Sequence, residues 1–394
     1  MKIAHFGTFD VDNYGDLLFP HIVEWRLPSS FFIHISPTNN RLKFSDASET
    51  MVMNDSMDIS FDGVFIGGGN IVHLRDCPLK EYLGIEKTAI PSLIIGAANL
   101  ASKQNIPLIF NGPSIRNFDF GKLEKYLLKN TITKSLYSAF RDQYSFDTGC
   151  RLGAVTAAFI PDTAFDIGRM WPKEEFHRDD IDKNPYLVVH LNSRYGGNIN
   201  DVAKSIDRIV ERYGDVEVRF LPLGLCHGDM EYTRAVVNKI SSRYKIIIDF
   251  SLKNFAFQIA YSLAYFGSSM HGFITALSYK VPALLVLNHN PLDKFAGLLT
   301  MVKAPKEVVV ANWIGAASKP SPAWTISDAM LETVYKKLDN HWEIINNRLM
   351  DSNVNRHSLL ETVILRNWRF FTLLSQFEVF CIQKILKMKK QLFK

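Results

Sequence analysis

The chain has 394 residues, of which 47% are apolar and 22% charged; this globular composition excludes disordered and fibrous classes. Its formal charge of +5 is too small to indicate a nucleic-acid partner, and it is unevenly placed: residues 366–394 hold seven Lys/Arg against one Glu, a balance of +6, which leaves −1 for residues 1–365. Four scattered cysteines with no C-x-x-C pair argue against a disulfide framework and against zinc, so a cytoplasmic compartment is expected. No secretory signal is visible. The uncharged run 88–102, which contains Pro91, Gly96 and Asn99, is too short to span a bilayer.

In chain order, short apolar runs alternate with longer segments of helical periodicity, the pattern of an α/β protein with parallel sheets. Strands are expected at Lys2–Phe6, Gly63–Ile66, Pro107–Phe110, Ser138–Phe140, Tyr186–Leu191, Val216–Pro222, Lys245–Asp249, Tyr265–Gly267 and Ala283–Leu287. In open parallel sheets ligands bind beyond the carboxyl ends of strands, so polar residues directly after these runs are the first candidates for chemistry.

After the first strand come Gly7-Thr8-Phe9 and Asn13-Tyr14-Gly15-Asp16, with Asp16 at a helix start as either a cap or an acid–base group. Gly67-Gly68-Gly69-Asn70 follows the second and would let backbone N–H groups approach an anion; His73 lies just beyond. The triplet is neither a Walker loop nor a dinucleotide fingerprint, and it can also serve close packing. Gly112-Pro113-Ser114 leads to Arg116, and Phe140 leads to Arg141-Asp142-x-x-Ser145. Arg141 can grip phosphate or carboxylate through its fork of donors, or form a surface pair with Asp142. Pro161-Asp162-Thr163-Ala164-Phe165 comes about twenty residues later. In the second half, His190-Leu191-Asn192-Ser193 precedes Arg194. The last group, Gly267-Ser268-Ser269-Met270-His271-Gly272, sets a histidine at the positive end of a helix dipole, in a catalytic or a purely structural role.

The charged segment Trp171–Pro185, with a proline near each end, reads as a linker between two α/β halves, and Ser318-Lys319-Pro320-Ser321-Pro322 closes the second. The expected division is 1–170, 186–330, a helical segment 331–365 and a basic tail 366–394. In that tail Phe377, Cys381, Ile385, Met388 and Leu392 recur at helical spacing opposite Lys387, Lys390 and Lys394, downstream of Trp368, Phe370 and Phe371. Such a helix suits an anionic membrane surface, or packs against the body or a second subunit.

Taken in order, Asn13-Tyr14-Gly15-Asp16, Gly67-Gly68-Gly69-Asn70, Phe140-Arg141-Asp142 with Ser145, Pro161-Asp162-Thr163-Ala164-Phe165, and Ser268-Ser269-Met270-His271 through Gly272, Ala276 and Pro282 to Lys294 resemble the polysaccharide pyruvyl transferase family over roughly residues 1–300. The resemblance implies two facing Rossmann-like domains of GT-B type with the active site between them. It implies phosphoenolpyruvate as donor substrate, no cofactor, no metal, and a sugar acceptor, commonly carried on lipid, that becomes a pyruvate ketal. It places the catalytic group on Asp16, Arg141 and His271. Donor binding then falls to Arg141, Ser268, Ser269, His271, Arg194 and Lys294, and acceptor binding to Asn13, Gly68, Gly69, Asn70, His73 and Arg116. One departure stands out: the family pattern Ser-Arg-Leu-His has an arginine where this chain has Ser269, so Arg194, Arg116 or Lys294 compensates or the donor differs. A GT-B-like glycosyltransferase using a nucleotide sugar and an inactive glycan-binding relative are the competing expectations.

Overall fold

The computed structural model describes residues 1–56, 58–116, 120–176, 184–287, 292–319 and 324–350, without the side chains of 54 and 292–294. The basic tail and its expected amphipathic helix lie outside the described residues. Strands β1 (Lys2–Phe6), β2 (Phe31–Ser36), β3 (Thr50–Val52), β4 (Gly63–Gly67), β5 (Leu108–Asn111), β6 (Tyr137–Phe140) and β7 (Ala157–Phe159) form a parallel sheet in the order β3-β2-β1-β4-β5-β6-β7. A second parallel sheet contains β8 (Tyr186–His190), β9 (Glu217–Phe220), β10 (Tyr244–Ile246), β11 (Tyr265–Gly267), β12 (Ala283–Val286) and β13 (Val309–Val310), ordered β10-β9-β8-β11-β12-β13. Central strands such as Gly-Val-Phe-Ile-Gly in β4 and Tyr-Leu-Val-Val-His in β8 are buried throughout, as expected where helices cover both faces of a parallel sheet.

All nine expected strand runs form, with ends moved by up to three residues. Four further strands were not anticipated. β3, β7 and β13 have two or three residues each, too few to carry a period, and β3 and β7 are only half-buried. β2 had a legible signal: Phe31-Phe32-Ile33-His34-Ile35 is aromatic and β-branched, and prolines 28 and 37 bracket it.

In each sheet the strand order reverses beside the first strand, between β1 and β4 and again between β8 and β11, which is where open α/β sheets hold ligands. One apolar cluster runs without a break from Tyr14, Leu17 and Phe19 in the helix Tyr14–Arg26 to Leu223, Phe255 and Phe273 of the second half. The two sheets therefore belong to one compact unit. Polar contacts fix the junction. Tyr14 N donates to the Leu223 carbonyl at 2.7 Å, Asn13 bridges Gly224, and the Tyr14 hydroxyl meets Thr275 Oγ1 at 3.1 Å. Asp46, from the first half, accepts the Leu252 and Lys253 N–H groups at 2.7 and 3.0 Å, capping the second-half helix Leu252–Ala260.

The helix Asp328–Met350 follows the second sheet in the chain but anchors on the first half. His341 Nε2 donates to Asn111 Oδ1 at 2.8 Å and its Nδ1 accepts from the Tyr137 hydroxyl at 3.1 Å, so the neutral Nε2–H form satisfies both neighbours. Trp342 and Arg26 both donate to the buried carboxylate of Asp166. Burial, reinforced by the nearby Arg26 charge, pushes the His341 pKa down to about 3. The imidazole is thus neutral when folded and titrates near its ordinary value of about 6.5 when unfolded. Its contribution to stability is complete above that value and disappears as the pH falls toward 3. Acidification from pH 7.5 to 5 should cost about 2 kcal/mol through this residue. Urea unfolding at the two pH values should show His341→Gln losing correspondingly less than the wild type; equal losses would exclude the assignment.

Candidate functional site

The helix Tyr14–Arg26 follows β1 after the loop 7–13. Asn13 caps it, its Oδ1 accepting from Gly15 N at 3.2 Å, and half-buried Asp16 occupies the first turn, where a carboxylate is favoured by the helix dipole. The glycine triplet after β4 faces this turn. Gly68 and Gly69 have φ of 61° and 70°, backbone that non-glycine residues rarely adopt. Both are also pressed close: a Cβ on Gly68 would overlap the Phe19 ring, and one on Gly69 would stand 3.3 Å from Asp16 Oδ1. The triplet therefore serves close packing on the first helix and sets the Asp16 carboxylate against its own backbone. Asn70 is exposed beside it.

The second half supplies His271. Ser269 caps the helix Met270–Ser278, its Oγ accepting from Gly272 N at 3.2 Å, so His271 stands in the first turn. Its imidazole rests on Gly15, where a Cβ would collide with Nδ1, and meets Phe19 edge-on with centroids 5.5 Å apart. Two helix N-termini from different sheets thus converge on one point.

Arg141, 6% exposed, completes the group. It sits at the end of β6, donating from Nε to Ser114 Oγ at 2.8 Å and from NH1 to Asp162 Oδ2 at 2.6 Å. His271 Nε2 lies 3.4 Å from the same NH1 and 3.6 Å from Asp162 Oδ2. The expected alternative of an Arg141–Asp142 surface pair is not found. Asp142 instead caps the helix Gln143–Arg151 through Ser145 N, and the Ser145 hydroxyl receives Ile115 N, tying this strand end to the 114–116 loop. Burial alone would raise the pKa of Asp162, yet Arg141 and His271 hold its carboxyl well below the ordinary carboxylate range. The site is a buried Arg141–Asp162 ion pair with His271 against both partners. A narrow crevice lined by Ser114, Arg141, Asp162, Met270 and Leu298 opens beside it.

His73 and Arg116 lie on neighbouring loops joined by the Val72–Ile115 bridge. Burial, with the Arg116 and Arg75 charges, lowers the His73 pKa to about 4, so it is neutral near pH 7. Ser268 lies within reach of His190, 3.4 Å from its Nδ1. Exposed Arg194 stacks on Tyr195 in the short helix Ser193–Gly196. The Lys294 side chain lies outside the described residues. Ser114 and Phe19 were given no role from sequence, since only the folded chain brings them to these positions; Asp162 was visible within its motif but without a role. Among the described residues no cluster of three His, Cys, Asp or Glu could hold a metal ion, and no helix is long and apolar enough to cross a membrane.

Two parallel sheets in one compact unit, with the motif residues following their strand ends, define a GT-B-like protein of two Rossmann-type halves. Solved structures share this fold. UDP-GlcNAc 2-epimerase from Methanocaldococcus jannaschii superimposes with a TM-score of 0.52 at 15% identity, covering 86% of this chain and 100% of its own. UDP-GlcNAc 2-epimerase from Neisseria meningitidis, bound to UDP-GlcNAc, does so with a TM-score of 0.51 at 11% identity and the same coverage, 86% and 100%. At such identities the likeness is one of architecture. No curated protein matches the chain in sequence. The polysaccharide pyruvyl transferase family profile matches residues 13–290, spanning Asn13, Asp16, Arg141 and His271, and the chain belongs to that family.

Proposed function

We propose that this protein transfers the enolpyruvyl group of phosphoenolpyruvate to a sugar of a polysaccharide precursor, forming a pyruvate ketal and releasing phosphate. The observation that carries this reading is the meeting of Arg141 and His271, drawn from strand ends in two sheets, at one buried ion pair with Asp162, with His271 resting on Gly15, the neighbour of Asp16. The donor has a phosphate and a carboxylate, which need cationic and N–H partners. Arg141 offers its remaining guanidinium donors, held in orientation by Ser114 and Asp162, and the two helix N-termini offer N–H groups. With Ser269 engaged as a helix cap, the donor's charge would rest chiefly on Arg141.

Protonation of the enol methylene creates an electrophilic carbon; one sugar hydroxyl adds to it, and a second displaces phosphate to close the ketal. His271 is assigned as the acid toward the methylene and Asp16 as a base toward a hydroxyl. Incubation with phosphoenolpyruvate and a panel of lipid-linked and synthetic glycosides, followed by mass spectrometry and phosphate measurement, tests the reaction. His271→Ala and Asp16→Ala should each lower phosphate release by about 100-fold or more. Near-normal turnover in both variants would remove the proposed pair.

A further inference from the structure

A second group of buried polar residues lies where the strand order of the second sheet reverses. Gly267 of β11 pairs in register with His190 of β8, so His190 and Ser268 stand side by side at the carboxyl ends of these strands. Asp229, fully buried, accepts three hydrogen bonds: from His190 Nε2 at 2.7 Å, Asn192 Nδ2 at 2.6 Å and Gly224 N at 2.7 Å. Three donors converge on its two oxygens, each of which acts as an acceptor. His190 therefore carries its proton on Nε2, which leaves Nδ1 as an acceptor facing the Ser268 hydroxyl at 3.4 Å. The order carboxylate, imidazole, hydroxyl is that of an activated serine. Both ends of the group touch segments of the site already described: Ser268 directly precedes the cap of the helix that carries His271, and Gly224 bridges Asn13.

We propose that Ser268 is a second proton-transfer residue of this site, with His190 and Asp229 as its positioning residues. The inference rests on the ketal-forming reaction above, which needs more than one base. Two sugar hydroxyls each lose a proton; one proton ends on the methylene carbon and the other leaves with phosphate. Asp16 accounts for one hydroxyl. At the other, the O–H proton passes to Ser268 Oγ as the Ser268 proton passes to His190 Nδ1, the imidazolium being offset by Asp229. The relay then runs backward and delivers the proton to the departing phosphate.

Phosphate release from phosphoenolpyruvate with an accepting glycoside would be followed for the wild type, Ser268→Ala, Ser268→Thr and His190→Gln, beside 15N NMR of the histidines. Ser268→Ala and His190→Gln should lower kcat about 100-fold with KM for phosphoenolpyruvate within threefold, while Ser268→Thr keeps most of the rate. A kcat for Ser268→Ala within threefold of the wild type would overturn the proposal, whatever His190→Gln does to folding. If the wild type releases no phosphate with any acceptor, the ketal reaction itself fails, and NMR then decides for the relay. A His190 Nδ1 resonance that shifts in Ser268→Ala retains the hydroxyl–imidazole contact on which the relay depends; an unmoved resonance overturns it.

Discussion

Gly15→Ala should remove most of the turnover, with kcat falling at least about 100-fold, because displacing a reacting group by an ångström carries a cost of that size. The added methyl would occupy the place of His271 Nδ1, so either the imidazole or the first turn of the helix Tyr14–Arg26 must move. Any such movement takes His271 away from Arg141 and Asp162. Overpacking of this kind also costs about 1–3 kcal/mol in stability. Gly121→Ala provides the control, since a Cβ there meets nothing within 4 Å. Steady-state kinetics of the two variants separate close approach from a general intolerance of alanine for glycine; a Gly15→Ala enzyme with unchanged kcat would place the His271 imidazole elsewhere during turnover.

Arg141→Ala is expected to be both inactive and unstable, for different reasons. Removing the guanidinium leaves Asp162 as an uncompensated buried charge, which costs about 3–5 kcal/mol. The double variant Arg141→Met with Asp162→Asn removes both charges and keeps an acceptor for Ala164 N, so it should recover most of that loss. Turnover should not return, because the fork of donors toward the substrate anion is gone. Urea midpoints and phosphate release on the single and double variants distinguish the two effects. Activity restored together with stability would show that Arg141 holds the fold and does not act on substrate.

Much of the frame was legible in the residues. Buried parallel strands need apolar runs, and β4, β5, β8 and β12 have them, with polar or glycine residues following β4 and β5 at once and β8 and β12 after one leucine. Short edge strands such as β7 and β13 have no comparable signal, because they bury little and pair on one side only. The motif residues Asp16, Arg141 and His271 could be selected one strand end at a time. Their partners could not: Ser114 and Asp162 take their meaning from the guanidinium between them, and Asp229 from the imidazole it holds. Arg141-Asp142 illustrates the difference. Adjacent opposite charges suggest a pair, but the extended backbone at the strand end directs one side chain into the core and leaves the other to cap the next helix.

The amino-acid sequence by itself determined the parallel α/β class, the two-sheet organisation and the family, and it nominated three residues for the chemistry, because strand periodicity and short motifs are local properties of a chain. The tertiary structure alone decided how Arg141 and His271 meet. Glycine at position 15 is there for a histidine 256 positions later in the chain. A continuous apolar layer holds the two sheets so that their helix N-termini converge, and the helix that ends the described chain anchors on the half that began it. Such contacts arise from the packing of distant segments, and no local pattern encodes them.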